Sequence, residues 1–469
     1  MVPDRGTWQL TAGAAVAGLV VAVAAVTAAG PWDNGQRKAE RDHAAALGRT
    51  GGADHQVAGR GRDAAEAPGP APAPSAPGVL SAASPPKVPS TTPTDLARVL
   101  GPLLDAPGLG PLRTASVVDA TTGRQLYGRG AGTAMTPAST IKIATAAAVL
   151  SATGPAHRIP TRVVAAPGFR AVTLVGGGDP TLDTVRLRAL ADRTAKALRD
   201  RGVTTVRLSY DTSLYEGPVI HPIGAGNDNI APVTALMLNE GRLDDSTEGS
   251  ARRGADPAGD AARAFVGLLS ERGVNTSAGP APGRAPAKGP ALATTYSAPV
   301  PALVERMLTD SDNDIAEALA RQTALATRRP ASFAGAEAAV TDRLKRLKLP
   351  VAGARFADGS GLNRADKVSA ALLTTLLVRA ADPAHPELRP VLTGLPIAGF
   401  TGTLSGRSAT GAGGLVRAKT GTLRGVDTLA GTVLSADGRL LAFAFLAGDT
   451  PSASAARPAL DRLAAALLP

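Results

Sequence analysis

The sequence predicts a mixed α/β (α+β) fold: an antiparallel sheet flanked by helices and interrupted by an inserted α/β subdomain. Three observations predict it. The chain ends β, β, α, with Val426–Leu434 and Arg439–Gly448 flanking the turn Ser435-Ala436-Asp437-Gly438 and a last helix at Ser454–Leu468. The compact part opens on a strand at Thr114–Ala120, a turn at Thr121-Thr122-Gly123 and a returning strand at Arg124–Gly128. Between about residues 160 and 295 strand and helix patterns alternate, the signature of a separate α/β unit.

The elements follow in order. Pro137 precedes the apolar run Ile141–Leu150, a buried helix ended by Gly154-Pro155. Ala171–Val175 is a strand, and Gly176-Gly177-Gly178-Asp179-Pro180 is a turn rather than a phosphate loop, since no Lys-Ser/Thr follows. Val185–Arg201 carries its apolar residues on one face (Leu187, Leu190, Ala191, Ala195, Leu198), and Gly202 stops it. Val203–Ser209 is a strand, and Asp256-Pro257 starts a helix to Arg272. Helical spacing returns at Val300–Leu308, Asn313–Ala326, Phe333–Leu347 and Ser369–Ala381.

The first 93 residues are of another kind. Leu10–Gly30 has no charged side chain, and its twenty-one residues reach about 31 Å as a helix, enough to cross a hydrocarbon core. It reads as an uncleaved signal anchor or as a signal peptide cut near Val26-Thr27-Ala28. The flanking charges fit neither well, because Arg5 stands alone before it while Arg37, Lys38 and Arg41 follow. Residues 67–93 hold nine prolines, a semi-extended spacer that cannot bury apolar area. The expected plan is delivery over residues 1–30, a linker over 31–93, one domain built from 94–160 and 295–469, and an insert over 161–294. An extracytoplasmic location follows from that plan, either membrane-anchored or secreted.

Composition narrows the chemistry. There is no cysteine, which excludes disulfides, thiolate nucleophiles and thiolate metal sites. The five histidines (His43, His55, His157, His221, His385) include no i,i+4 pair, so a zincin motif is absent. Residues 1–100 hold nine Lys/Arg and eight Asp/Glu, so the rest carries +10 of the total +11. Such charge could meet an anionic partner, but the better reading is that arginine is common in a biased composition and the charge serves solubility. Aromatic residues at 3% leave no stacking surface, and nucleic acid is not expected as a partner.

Three short motifs carry chemistry. In Ser139-Thr140-Ile141-Lys142 the serine and lysine share one helical face, so a lysine of lowered pKa could take the hydroxyl proton. Ser311-Asp312-Asn313 precedes a helix, and each of its residue types also caps helices well. Lys419-Thr420-Gly421-Thr422 reads as a strand whose glycine lets a ligand approach the backbone. Singly, each is as readily a cap or a solvated edge. Together, in this order, they match the signature shared by penicillin-binding proteins and class A β-lactamases.

On these motifs and further stretches the chain resembles the D-alanyl-D-alanine carboxypeptidase/endopeptidase family of class C low-molecular-mass penicillin-binding proteins. The stretches include Leu174–Leu182, Ala231–Leu236, Asp358-Gly359-Ser360-Gly361-Leu362, Leu395–Phe400 with Gly402-Thr403-Leu404, and Arg417–Leu423. The resemblance covers roughly residues 95–469 and implies a penicillin-binding-protein/serine β-lactamase-like transpeptidase fold. It departs in one respect: 172 residues separate Ser139 from Ser311, fewer than the family's large insert takes, so one compact insert is expected.

The resemblance implies a serine DD-peptidase acting on peptidoglycan stem peptides, as carboxypeptidase, endopeptidase or both, and acylated by β-lactam antibiotics. It implies Ser139 as nucleophile, Lys142 as general base, Ser311 as proton relay to the leaving nitrogen and Lys419 as a neighbouring positive charge. Asn313 would bind the substrate amide, and Thr420, Gly421 and Thr422 the terminal carboxylate and its strand. The backbone N–H groups of Ser139 and Thr422 would form the oxyanion hole. No cofactor or metal is called for. Asp358, Ser360 and Leu362 are expected in the site wall. A β-lactamase is disfavoured, because the Leu-Asn pairs at 238–239 and 362–363 carry Ala235 and Gly359 where a class A enzyme needs glutamate. A catalytically silent wall-binding or sensor module is the other alternative.

Overall fold

A computed structural model describes residues 93–407, 411–435 and 438–468. The membrane-spanning candidate and most of the linker lie outside the described residues. Among those described, no helix is long and apolar enough to cross a membrane.

In chain order the structure has α1 (Pro93–Leu104), β1 (Leu112–Asp119), β2 (Gln125–Arg129), β3 (Ala134–Met135), a 3₁₀ turn (Ala138–Ile141) and α2 (Lys142–Thr153). Next come β4 (Arg158–Ala165), β5 (Ala171–Val175), α3 (Thr184–Arg199), β6 (Thr205–Asp211), α4 (Pro257–Ser270), β7 (Asn275–Thr276), β8 (Ala281–Pro282) and β9 (Ala291–Pro299). Four helices follow, α5 (Val300–Thr309), α6 (Asn313–Ala326), α7 (Phe333–Arg346) and, after β10 (Val368–Ser369), α8 (Ala370–Ala381). The chain closes with β11 (Val416–Leu423), β12 (Val426–Leu434), β13 (Leu440–Gly448) and α9 (Ala453–Ala465).

The main sheet is antiparallel in the order β11-β12-β13-β1-β2. Its central strand β13 is almost continuously apolar because both faces are covered. The two-residue period divides its side chains. Leu441, Phe443, Phe445 and Ala447 pack with α1 and α9, while Ala442, Ala444 and Leu446 pack with α2, α5, α6, α7 and α8. The second core holds α2, buried on every side from Lys142 to Leu150, and this rigid packing fixes the start of that helix.

The second sheet runs β7-β6-β5-β4-β9, with β8 beside β6, and covers Arg158 to Pro299. Its β5–β6 and β6–β7 pairings are parallel, as helical crossovers require. Helix α3 is capped by Asp183, which accepts from the Arg186 amide, and buries Leu187, Leu190, Ala191, Ala195 and Leu198. Positions 161 and 294 fall inside β4 and β9, so this sheet begins and ends a few residues beyond the expected insert. Pro160 and Pro299, which cannot donate to a ladder, disguise both strands in the sequence. The triple-glycine turn serves packing: a Cβ on Gly177 would lie 1.9 Å from Pro160 O, and one on Gly176 2.3 Å from Ala235 O.

Candidate active site

Ser139 sits in the 3₁₀ turn that runs into α2. In such a turn residues i and i+3 eclipse, and this brings Lys142 Nζ to 2.9 Å from Ser139 Oγ. The turn is strained: Ala138, which precedes Ser139, has φ 47°. It is pinned by Thr140 and Thr428, whose hydroxyls both donate to Pro137 O.

Lys142 is fully buried and makes two further contacts, to Asn313 Oδ1 at 2.7 Å and Ser360 O at 2.6 Å. Burial pushes its pKa down to about 8, against the raising influence of Asp358, Asp312, Glu317 and Asp366. Asn313 is the first residue of α6, capped by Asp312, whose Oδ1 accepts from the Ile315 amide at 2.9 Å. The cap and the site thus share one motif. Ser311, at φ 62°, occupies the left-handed region just before the cap and faces the same cleft.

Lys419 lies on β11, also fully buried, and donates to Thr420 O at 3.0 Å. Burial, reinforced by the charge of Lys142, pushes its pKa well down. Gly421 is required by the closeness of β11 to the Ser139 turn. A Cβ there would lie 2.2 Å from Thr428 Oγ1, 2.7 Å from Pro137 O and 3.0 Å from Ser139 N. Thr420 Oγ1 donates to Thr403 Oγ1 at 2.9 Å, and Thr422 Oγ1 to Asp427 Oδ1 at 3.2 Å.

The structure gathers all eight sequence-derived candidates around one cleft. Ser139, Ser311, Asn313, Thr420 and Thr422 line its cavity of about 410 Å³, with Arg242, Arg253, Arg407 and Arg457 on the walls, while Lys142, Lys419 and Gly421 are buried. Arg242, Arg253 and Arg407 are already paired with Glu240, Asp314 and Asp461.

Three contributions go beyond the sequence-derived roles, which place Asp358, Ser360 and Leu362 only in the site wall. Ser360 acts through its backbone carbonyl, which no side-chain motif announces. Thr403 was legible only as part of a family-like stretch. Behind Ser360 lies a buried network of His221, Glu317, Arg321, Asp358 and Asp366. Among the described residues two clusters have the spacing of metal ligands, His221/Glu317/Asp358 and Glu240/Asp312/Asp314. Their atoms already serve other partners. Arg321 pairs with Glu317, Arg242 and Arg306 with Glu240, and Arg253 with Asp314. This is the donor pattern of buried ion pairs.

The cleft can deprotonate a serine hydroxyl and hold a carboxylate beside it. Comparison with known proteins places this arrangement. Residues 97–254 and 243–467 match the D-Ala-D-Ala carboxypeptidase 3 (S13) family. The chain is 37% identical over 437 residues to the carboxypeptidase DacB of Mycolicibacterium smegmatis, covering 87% of this chain and 91% of that one. It is 28% identical to a D-alanyl-D-alanine carboxypeptidase of Actinomadura sp., over 74% and 80% of the two chains. Its fold is similar to the crystal structure of penicillin binding protein 4 from Haemophilus influenzae, with TM-score 0.65 at 23% identity over 79% of this chain and 97% of that one. With the family matched along nearly the whole described length, and the motif residues meeting in one cleft, the chain belongs to the D-Ala-D-Ala carboxypeptidase 3 (S13) family.

Proposed function

We propose that the protein is a serine DD-peptidase that acts on peptidoglycan stem peptides through a Ser139 acyl-enzyme. The observation that carries this reading is the environment of Lys142 Nζ, 2.9 Å from Ser139 Oγ. A neutral amine has two N–H bonds and one lone pair. Asn313 Oδ1 and Ser360 O take the two N–H bonds, at 2.7 and 2.6 Å, which aims the lone pair at the Ser139 hydroxyl. With a pKa of about 8, roughly a tenth of the lysine is neutral at pH 7.

Lys142 takes the proton of Ser139 Oγ, which attacks the carbonyl carbon between two D-alanines. Negative charge grows on the carbonyl oxygen, beside the Ser139 and Thr422 amides. The C–N bond breaks, and the proton held by Lys142 passes through Ser311 to the leaving nitrogen, which departs as an amine. Water then attacks the ester carbonyl and gives a proton to Lys142; the C–O bond to Ser139 breaks, the carboxylic acid leaves, and Ser139 Oγ takes that proton back.

Lys419 supplies coupling. Burial and the Lys142 charge disfavour its ammonium form in the free protein. A substrate carboxylate arriving at Thr420 and Thr422 favours that form, and a charged Lys419 drives Lys142 toward the neutral base. The same anionic anchor suits both leaving groups, a terminal D-alanine or a D-amino acid on a neighbouring peptide. Penicillin acylates the same serine; the Haemophilus influenzae protein has been crystallised in complex with a β-lactam. Parallel digestion of pentapeptide monomers and cross-linked dimers tests the activity. Free D-alanine without dimer cleavage assigns a carboxypeptidase, dimer cleavage adds an endopeptidase, and release of neither removes the reading.

The wall lies outside the cell membrane, so this activity requires export by the apolar segment at residues 10–30, which would also tether the protein if it is retained. The charge-poor run and the proline-rich spacer support that arrangement. A reporter fused after Pro93 tests it: activity only in the cytoplasm contradicts it.

A further inference from the structure

The Ser360 carbonyl that receives one N–H of Lys142 is aimed by a buried carboxylate. Asp358 Oδ1 accepts from the amides of Ser360 at 3.0 Å and Gly361 at 2.6 Å. Its Oδ2 accepts from the Asn363 amide at 2.7 Å and the Ser360 hydroxyl at 3.1 Å. Glu317 Oε1 adds bonds from the amides of Gly359 and Ser360. The turn has no slack on its other side, since a Cβ on Gly361 would lie 2.1 Å from Ala138 O. The residue before the nucleophile and the loop that orients the base are therefore in direct contact.

A segment between β6 and α4, from the inserted part of the chain, reaches under this loop. His221 is 2% exposed, and its Nε2 lies 2.9 Å from Asp358 Oδ2. The Ile223 amide donates to His221 Nδ1 at 3.2 Å, so Nδ1 is the acceptor and Nε2 carries the proton toward Asp358. The ring is wedged edge-on against Phe333, centroids 5.5 Å apart. The same segment makes two more tethers. Asn229 O accepts from Asn313 Nδ2 at 3.0 Å, and the Ala231 amide donates to Asp314 Oδ1 at 2.9 Å. Both acceptors of the Lys142 amine, Asn313 Oδ1 and Ser360 O, are thus held from behind by residues 221–231.

We propose that His221 is a positioning residue for the general base: by donating to Asp358 it fixes the Ser360 carbonyl against Lys142 Nζ. This gives the insert a part in the chemistry, and it rests on the reading of Lys142 as base to Ser139. Replacing His221 leaves Asp358 its bonds to Ser360, Gly361 and Asn363, so the loop persists while its tether to the insert goes. Misplacement of a catalytic group by a fraction of an ångström to 1 Å costs up to about 100-fold in rate.

The test measures acylation of the full-length protein by a fluorescent penicillin, with saturation kinetics separating non-covalent binding from the acylation step. His221→Ala is expected to slow acylation by about 10- to 100-fold with binding little changed. His221→Gln, whose side-chain amide can donate from the Nε2 position, is expected to restore most of the rate. Wild-type acylation in a folded His221→Ala protein overturns the proposal, as does a His221→Gln protein no faster than His221→Ala. If His221→Ala does not fold, ¹⁵N-histidine NMR of the wild type decides. A neutral Nε2–H tautomer whose resonance moves when Ser139 is acylated supports the proposal, and an Nδ1–H tautomer or an unmoved resonance overturns it. A wild-type protein that takes no label at Ser139 removes the DD-peptidase reading itself. A labelled wild type with His221→Ala unaffected removes this inference alone.

Discussion

Asn313 Oδ1 lies 2.7 Å from Lys142 Nζ, closer than Ser139 Oγ at 2.9 Å. The residue expected to hold substrate therefore also orients the base in the free protein. A carboxylate in its place would favour the ammonium form of Lys142. Asn313→Asp should move the midpoint of the acylation pH profile above that of the wild type. Each unit of upward shift costs about tenfold in rate at pH 7. Rates of penicillin acylation from pH 6 to 10 check this, and an unshifted midpoint would show that Asn313 does not govern Lys142.

The wild-type profile has a definite sign. Lys142 is depressed to about 8, so the base form grows as pH rises through that value. Acylation should climb about tenfold per unit below it and level off above. Stopped-flow or quenched labelling supplies the measurement. A rate that is flat between pH 6 and 9 would mean that neutral Lys142 is not the acting base.

Gly421 separates β11 from the Ser139 turn with no room for a methyl group. Gly421→Ala must push the strand outward, at a cost of about 1–3 kcal/mol in stability. It moves Thr422 away from Ser139, so the acylation rate should fall more than the stability loss alone explains. Thermal melts and labelling rates on the same preparation separate the two effects. Wild-type rates would contradict the close approach.

The Glu317–Arg321 pair is 1% exposed on both sides, and Arg321 packs over Phe333 at 4.2 Å. Glu317→Ala strands a buried guanidinium and leaves the Gly359 and Ser360 amides without that acceptor. The expected cost is about 3–5 kcal/mol, read from the urea midpoint. A loss below about 1 kcal/mol would mean that the network is not needed for stability.

How much of this was legible depended on distance along the chain. Ser139 and Lys142 are three residues apart, and their meeting follows from helical geometry. The strand carrying Lys419 is legible because its Lys-Thr-Gly-Thr motif and its place before two apolar strands are local patterns. The contact between His221 and Asp358 spans 137 residues and joins a segment without periodicity to a glycine-rich turn, so nothing local announces it. The same holds for β4 and β9, neighbours in the sheet that are its first and last strands along the chain. Ser360 is legible only as part of the wall because its contribution is a carbonyl, which every residue has. Thr403 escaped for a related reason: a hydroxyl in a loop gains meaning only when Thr420 stands 2.9 Å away.

The central claim is that Ser139 Oγ is the atom acylated, with Lys142 as its base. Peptide mapping by mass spectrometry after incubation with penicillin tests it most directly, on wild type, Ser139→Ala and Lys142→Met in parallel. One covalent adduct is expected on the wild type, on the peptide holding Ser139, absent from Ser139→Ala and formed about 10²–10⁴-fold more slowly by Lys142→Met. An adduct that persists in Ser139→Ala, or a wild type that carries none, would contradict the account.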